Sequence, residues 1–302
     1  EELARQLTLQ DLSMYRRIDP HEFVKGAWMG NHKKEKAPNV ILMIERFNSI
    51  SLWVREEILS HPGVKERAKS IEFFIDTAWS LFDLRNLNGV FNILSALKSA
   101  AIWRLRKTWK KLGVDRKSKL DHLDRVCSSD RAWREYRLLL EQSKLPLIPF
   151  LGFFLTELAR INESGKDLLD AQLINVYKIK LFSQMMTKIR KFQPVKYSLR
   201  RVHKLDKLMH LVPMDADYLY ELSLCIEKRS DRKPSEDIIK ATKTKLKKLP
   251  TSFSRHCLPP EPKLGLETDR AANRTEIKGI QLSKLAGLRQ LIDNHIGPEP
   301  SI

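Results

Sequence analysis

Four residues in the stretch 147–193 have types and spacing that could act together: Gly152, Thr156, Ala159 and Glu163. Steps of four, three and four put them on one face of a helix. That face is small, small, small, and then a carboxylate. Glycine inside a helix costs about 1 kcal/mol relative to alanine, and a carboxylate near the C-terminal end opposes the helix dipole. Both choices suit a face that must come close to another surface and carry a negative charge to it. A hairpin with one solvated face satisfies the same pattern. Either way the chemistry is contact and electrostatics, not bond-making. No HExxH, CxxC, GxSxG, Walker-type or GxGxxG pattern occurs, so no cofactor and no metal-ligand set is expected. The 8 histidines are scattered, and the 3 cysteines, Cys127, Cys225 and Cys257, are far apart and odd in number. Such usage suits a reducing, cytoplasmic setting.

Those four residues need a helix and a partner arm. Leu151, Phe154, Leu155, Leu158 and Ile161 form the opposite, apolar stripe of the first arm. After a short polar break the segment LINVYKIKLFSQMMTKIRKFQ supplies the second. Upstream, Thr8 with Asp11 reads as a helix start, Asp19-Pro20 with Glu22 as a capped turn, and Asn39 as the cap of a long helix. That helix carries Met43, Phe47, Ile50, Val54 and Ile58 in three–four alternation and stops at His61-Pro62-Gly63. Ile71, Phe74, Ile75, Ala78 and Phe82 line the next apolar face, and Val90, Ile93, Leu94 and Leu97 the one after. Between them LRNLNG favours a turn. Period-two alternation is absent almost everywhere. The expected fold is all-α: a single helical domain over residues 1–229 with a protruding helical hairpin at about 147–193.

Residues 230–302 are expected to form a basic, proline-containing, partly disordered tail, with KATKTKLKKLP, LPPEPKLG and a short amphipathic helix around Ile277, Ile280, Leu285, Leu288 and Leu291. No run of about eighteen apolar residues appears, and the opening EELARQLT has no basic-then-apolar signal pattern. The formal net charge is +18. A charge of this sign suits nucleic-acid phosphates or the anionic cytoplasmic leaflet of a membrane. No nucleic-acid module is visible, so a basic helical nucleic-acid binder is only the remote alternative.

The blocks ARQLTLQDLSMYRRI, APNVILMIERFNSISLWVREEIL, IEFFIDTAWSLFDLRNLNGVFNILSALKSAAIWRLRKTW, REYRLLL, IPFLGFFLTEL with INES and LIN, and YLYELSLCIEKR follow one another in a fixed order. In that order they resemble the catalytic domain of Ras-family guanine-nucleotide exchange factors over most of residues 1–229. RFNSISLWV, SALKSA and APN look most like the Ral-directed branch, whereas the hairpin is equally at home among Ras- and Rap-directed members. The resemblance implies a protein that promotes GDP release from a small GTPase by binding its nucleotide-free form, without covalent chemistry. It implies a cytoplasmic protein working at the cytoplasmic face of membranes, with an anionic membrane surface as a second candidate partner.

Carried over residue by residue, the resemblance places the methyl group of Ala159 where the GTPase's magnesium is coordinated and the carboxylate of Glu163 near its phosphate site. Gly152 and Thr156 would permit the close approach, and Phe150 would add an apolar contact. Trp133 would face the first switch. Ile41, Ile44, Glu45, Lys98, Ser99, Ala100 and Trp103 would dock the second, with Ile44 and Trp103 equally readable as core. Asn48 and Asn88 read as braces between helices, and Asn175 and Lys178 as braces of the second arm. Many relatives have Asn where Lys98 stands and some have Arg where Glu45 stands. Either departure could redirect the choice of GTPase, or leave a scaffold that binds without prying.

Overall fold

The computed structural model describes residues 1–61, 63–170, 173–202 and 215–227. Contacts divide the chain into two compact units, Glu1–Leu219 and Tyr220–Ile302. The tail and amphipathic helix expected in 230–302 lie outside the described residues.

The fold is all-α, as the periodicity predicts. Helix α1 is Glu2–Tyr15, followed by a 3-10 turn Pro20–Gly26, α2 Lys33–Lys36, α3 Pro38–Leu59, α4 Val64–Asp83 and α5 Leu87–Leu97. Short α6 Ala100–Trp103 and α7 Arg106–Lys110 lead into α8 Val114–Val126 and α9 Asp130–Gln142. The hairpin is α10 Leu151–Glu163 and α11 Val176–Lys191, joined through two antiparallel strands, β1 Leu168–Asp170 and β2 Leu173–Ile174. Helix α12, Ala216–Ile226, closes the described part.

Helices α3, α4 and α5 pack on one another and α1 lies across them. The stripes read from the sequence supply this core: Ile50, Val54, Ile58, Ile71, Phe74, Ile75, Val90 and Ile93 are all buried. Each such side chain contributes roughly 1.5–3 kcal/mol on leaving water. Phe47 and Phe82, on the same stripes, are only half-buried.

Two helix starts differ from their sequence signals. Thr8 and Asp11 lie inside α1, where the Thr8 hydroxyl donates to the Ala4 carbonyl at 2.8 Å. Asp11 is buried and its carboxylate accepts from Asn86 Nδ2 at 2.9 Å. The pair that looked like a cap therefore holds the α4–α5 turn. Likewise Asn39 does not cap α3. Glu22, seventeen residues away in sequence, accepts from the Val40 amide at 2.9 Å and from Asn39 Nδ2 at 2.8 Å. A buried carboxylate at a helix N-terminus satisfies orphan amides and complements the dipole. Glu22 also accepts from the Asp19 amide at 3.2 Å, completing a capping box for the 3-10 turn.

The base of the hairpin is tied at both arms. Before α10, the Ile148 amide donates to the Arg85 carbonyl and the Leu87 amide to the Ile148 carbonyl, both at 2.9 Å. Beyond α11, Gln193 Nε2 reaches the carbonyls of Tyr15 at 3.3 Å and Ile18 at 2.7 Å. The Tyr15 hydroxyl donates to the Ile189 carbonyl at 3.2 Å. Between these ties Tyr15, Phe23, Tyr136, Phe153, Phe154, Leu158 and Ile189 form a second buried cluster under the hairpin.

Candidate functional site

The exposed face of α10 carries the four residues singled out by spacing. Gly152 and Ala159 are half-buried, and Thr156 and Glu163 are exposed. The Thr156 hydroxyl donates to the Gly152 carbonyl at 2.9 Å, one turn back. Its polar group is thus consumed within the helix, and the surface it offers is largely its methyl. Glu163 joins no ion pair among the described residues. The nearby arginine is engaged elsewhere: Glu157 holds Arg160 at 2.9 Å and Arg137 at 2.8 Å. A lone carboxylate therefore stands one turn beyond the Ala159 methyl, at the end of the helix.

Gly152 has a reason internal to the chain. A Cβ there would collide with the ring of Phe150, which folds back over it. That ring is stacked on Phe91 at 4.0 Å and 7° and lies 5.5 Å from Phe47. The Phe150 amide donates to the buried Tyr136 hydroxyl at 2.7 Å. Ring and backbone of Phe150 are thus both fixed just before α10 begins. Burial pushes the Tyr136 hydroxyl well above the ordinary tyrosine range, so it stays protonated.

Around Phe150 lies a shallow apolar depression of about 230 Å³ lined by Met43, Ile44, Phe47, Asn88, Leu155 and Gly152. It joins α3, α5 and α10 and places half-buried Ile44 beside Phe150 and Gly152. Phe47 and Leu155, read as core stripe, contribute to its walls; their half-burial has no signature in spacing alone.

Ile41 is a correction. It is only 8% exposed and belongs to the cluster beneath the hairpin, while its neighbour Leu42 is 43% exposed. Trp133 is half-buried, with its ring 5.8 Å from those of Phe91 and Phe153. It lies in the aromatic cluster that supports Phe150. Asn48 is a second correction: it is exposed on α3 and braces nothing among the described residues. Asn88, by contrast, is buried and hydrogen-bonds the Asp11 carboxylate together with Asn86.

Lys98, Ser99, Ala100 and Trp103 gather at the α5–α6 junction. Ser99 begins α6, its carbonyl accepting from the Trp103 amide at 2.8 Å. Ala100 is exposed, and Trp103 is 53% exposed with its ring edge-on to Trp109 at 5.5 Å. Lys98 pairs with Asp124 of α8 at 2.9 Å, and Glu45 with Lys34 at 3.7 Å. Both charges that depart from the family pattern have partners within the chain.

The tip of the hairpin is braced by Asn175 and Lys178. Asn175 caps α11, accepting from the Lys178 amide at 3.1 Å and donating to the Lys166 carbonyl at 3.1 Å. The Lys178 ammonium donates to the carbonyls of Asn162 at 3.0 Å and Gly165 at 2.8 Å and pairs with Asp167 at 2.8 Å. It holds the last turn of α10, and with it Glu163, against α11. The Lys178 hydrogen bond and charge hold the Asp167 carboxyl below its ordinary value. Among the described residues no group of three or more His, Cys, Asp or Glu could hold a metal ion.

Comparison with known proteins shows the family. The family described as RasGEF domain matches residues 2–180. Ras-specific guanine nucleotide-releasing factor 2 of Danio rerio is 36% identical over 230 residues, covering 76% of this chain and 18% of that protein. Ras-specific guanine nucleotide-releasing factor 1 of Homo sapiens is 33% identical over 228 residues, covering 75% and 18%. Ras guanine nucleotide exchange factor J of Dictyostelium discoideum is 34% identical over 232 residues, covering 76% and 28%. The chain spans less than a third of the length of each of these relatives.

Proposed function

Since the chain belongs to the RasGEF domain family, we propose that it is a guanine-nucleotide exchange factor that accelerates GDP release from a Ras-family small GTPase. The observation that carries this reading is the outer face of α10. There the Ala159 methyl and the unpaired Glu163 carboxylate project from a helix tied at its base and braced at its tip.

The mechanism is displacement. Picomolar nucleotide affinity corresponds to about 16 kcal/mol, and a 10⁵-fold faster release lowers the barrier by about 7 kcal/mol. An exchange factor reaches this by binding the nucleotide-free GTPase better than the loaded one, and linkage makes the effect reciprocal. Ala159 carries a methyl group to the GTPase's magnesium position, where an ion demanding oxygen ligands finds none. Glu163 offers its carboxylate to the groups that otherwise hold phosphate. The depression around Phe150, with Ile44 in its wall, takes an apolar side chain of the second switch, and Trp103 and Ala100 extend that contact. The protein acts in the cytoplasm, recruited to the cytoplasmic face of membranes where lipidated GTPases reside. Partners are the GDP-bound and nucleotide-free forms, and no nucleic acid.

The relatives named above carry Ras in their names, so Ras is the first GTPase to test, before Rap and Ral. A binding scaffold is the second reading, motivated by Glu45 and Lys98. Their internal ion pairs weaken that motive.

Release of fluorescent GDP from Ras, Rap and Ral, each chased with unlabelled nucleotide, decides between the two. Acceleration on one GTPase, abolished in Thr156→Glu and reduced about tenfold or more in Glu163→Ala, is the expected result. Binding without acceleration would establish the scaffold, and neither would refute both readings.

A further inference from the structure

The segment 104–119 holds eight lysines and arginines against one carboxylate, Asp115. Some of that charge is spent internally. Asp76 of α4 takes Arg116 and Lys119, each at 3.2 Å, and Asp115 pairs with the same two. Arg106, Lys110, Lys111 and Lys117 are exposed and join no ion pair among the described residues. Lys110 and Lys111 end α7 and Lys117 lies in the first turns of α8, so the three stand on either side of one short connection.

At that turn Leu112 points inward, 4% exposed, and Val114 points outward, 85% exposed. Val114 is the most exposed large apolar side chain among the described residues. Nothing local calls for it, since a first helical position favours proline or an acidic residue over valine. The turn is not loose, for the Gly113 amide donates to Glu72 of α4 at 2.9 Å. The fold thus holds out an apolar side chain on a turn whose two sides carry the exposed Lys110, Lys111 and Lys117.

We propose that this turn, with the end of α7 and the start of α8, is a docking surface for an anionic lipid bilayer. Each lysine near such a surface strengthens binding about fivefold. The phosphates of a nucleic acid would take the cations but give Val114 no apolar environment. A bilayer interface accepts both: headgroup phosphates and carboxylates meet the lysines, and the boundary of the acyl region takes the valine. The patch adjoins the α5–α6 junction, since Trp109 of α7 lies against Trp103. Engaging the bilayer here would place that junction beside a lipid-anchored GTPase. This consequence rests on the proposed exchange function; the binding does not.

The test floats the full 302-residue chain with vesicles of phosphatidylcholine alone or with about a third phosphatidylserine. Wild type should bind only the anionic vesicles. Lys110→Ala with Lys111→Ala should weaken binding about twenty-five-fold, and Val114→Ser about threefold, persisting at salt that screens the lysines. All three residues are exposed, so unchanged thermal midpoints should show the variants folded. Lys245→Ala with Lys247→Ala and Lys248→Ala, in the separate basic run, should cost less than the turn variants. If wild type binds neither vesicle, or the turn variants bind as wild type does, the proposal is overturned. It is also overturned if the chain binds a short DNA duplex but not the anionic vesicles, since the partner would then be nucleic acid. Exchange on soluble GTPase should be unchanged in the turn variants and slowed only on vesicle-tethered GTPase. Absence of exchange on either would remove the proposed function while leaving the vesicle result to stand.

Discussion

Asp11 shows how much one side chain can organise. Burial raises its carboxyl above the ordinary value, against the opposing effects of Asn86, Arg46 and Asn88. The folded state therefore holds this proton more tightly than the unfolded chain does. Stability falls as pH rises from the unfolded value, about 4, through the raised folded one, and then levels off. Denaturant titrations across pH should show that slope in wild type and lose it in Asp11→Asn. An equal slope in both would mean that Asp11 titrates normally. None of this was legible in QLTLQD, where Thr8 and Asp11 carry the spacing of a capping box. A local signal was overridden by a turn some 75 residues away in sequence. Ile41 and Leu42 teach the same at the site: adjacent apolar residues leave the spacing alone unable to say which faces out.

At the scale of the element, the hairpin was the most legible part, because a 3.6-residue period with a small-residue stripe opposite an apolar one has few other solutions. What holds it at its angle was not legible. The Ile148 bridge to the α4–α5 turn and the Gln193 bonds to the end of α1 are backbone contacts between distant segments, and backbone groups leave no mark on side-chain pattern. Lys178 is the exception that sequence resemblance pointed to. Replacing it by methionine removes two carbonyl contacts and one ion pair, a local loss of about 1–3 kcal/mol. Hydrogen exchange should quicken through 160–178 while the thermal midpoint of the chain stays near wild type. GDP release should slow several-fold, because Glu163 is no longer held in one place. Unchanged protection in that segment would show that the hairpin does not need the clamp.

Over the whole molecule the charge divides into parts with different roles. The +18 balance said only that some anionic partner was plausible. The structure separates cations spent on internal pairs, such as Arg116 and Lys119 on Asp76, from those left outward at the α7–α8 turn. Exposure of Val114 then distinguishes a surface suited to lipid from one suited to phosphates alone. Glu22 illustrates the complementary case, a carboxylate drawn inside to cap α3 from another segment. Among the described residues no helix is long and apolar enough to cross a membrane.

The overlap of Phe150 with Gly152 makes two positions into a single choice. Gly152→Ala alone should lose about 1 kcal/mol or more of stability, because the added methyl displaces a ring already stacked on Phe91. In a Phe150→Leu background the obstructing ring is gone, and the same alanine should cost little or even help through its helix preference. A double-mutant cycle read by denaturant unfolding would show this as a coupling energy. Chains of this architecture would then be free to trade aromatic bulk against backbone bareness at these two sites, but only together.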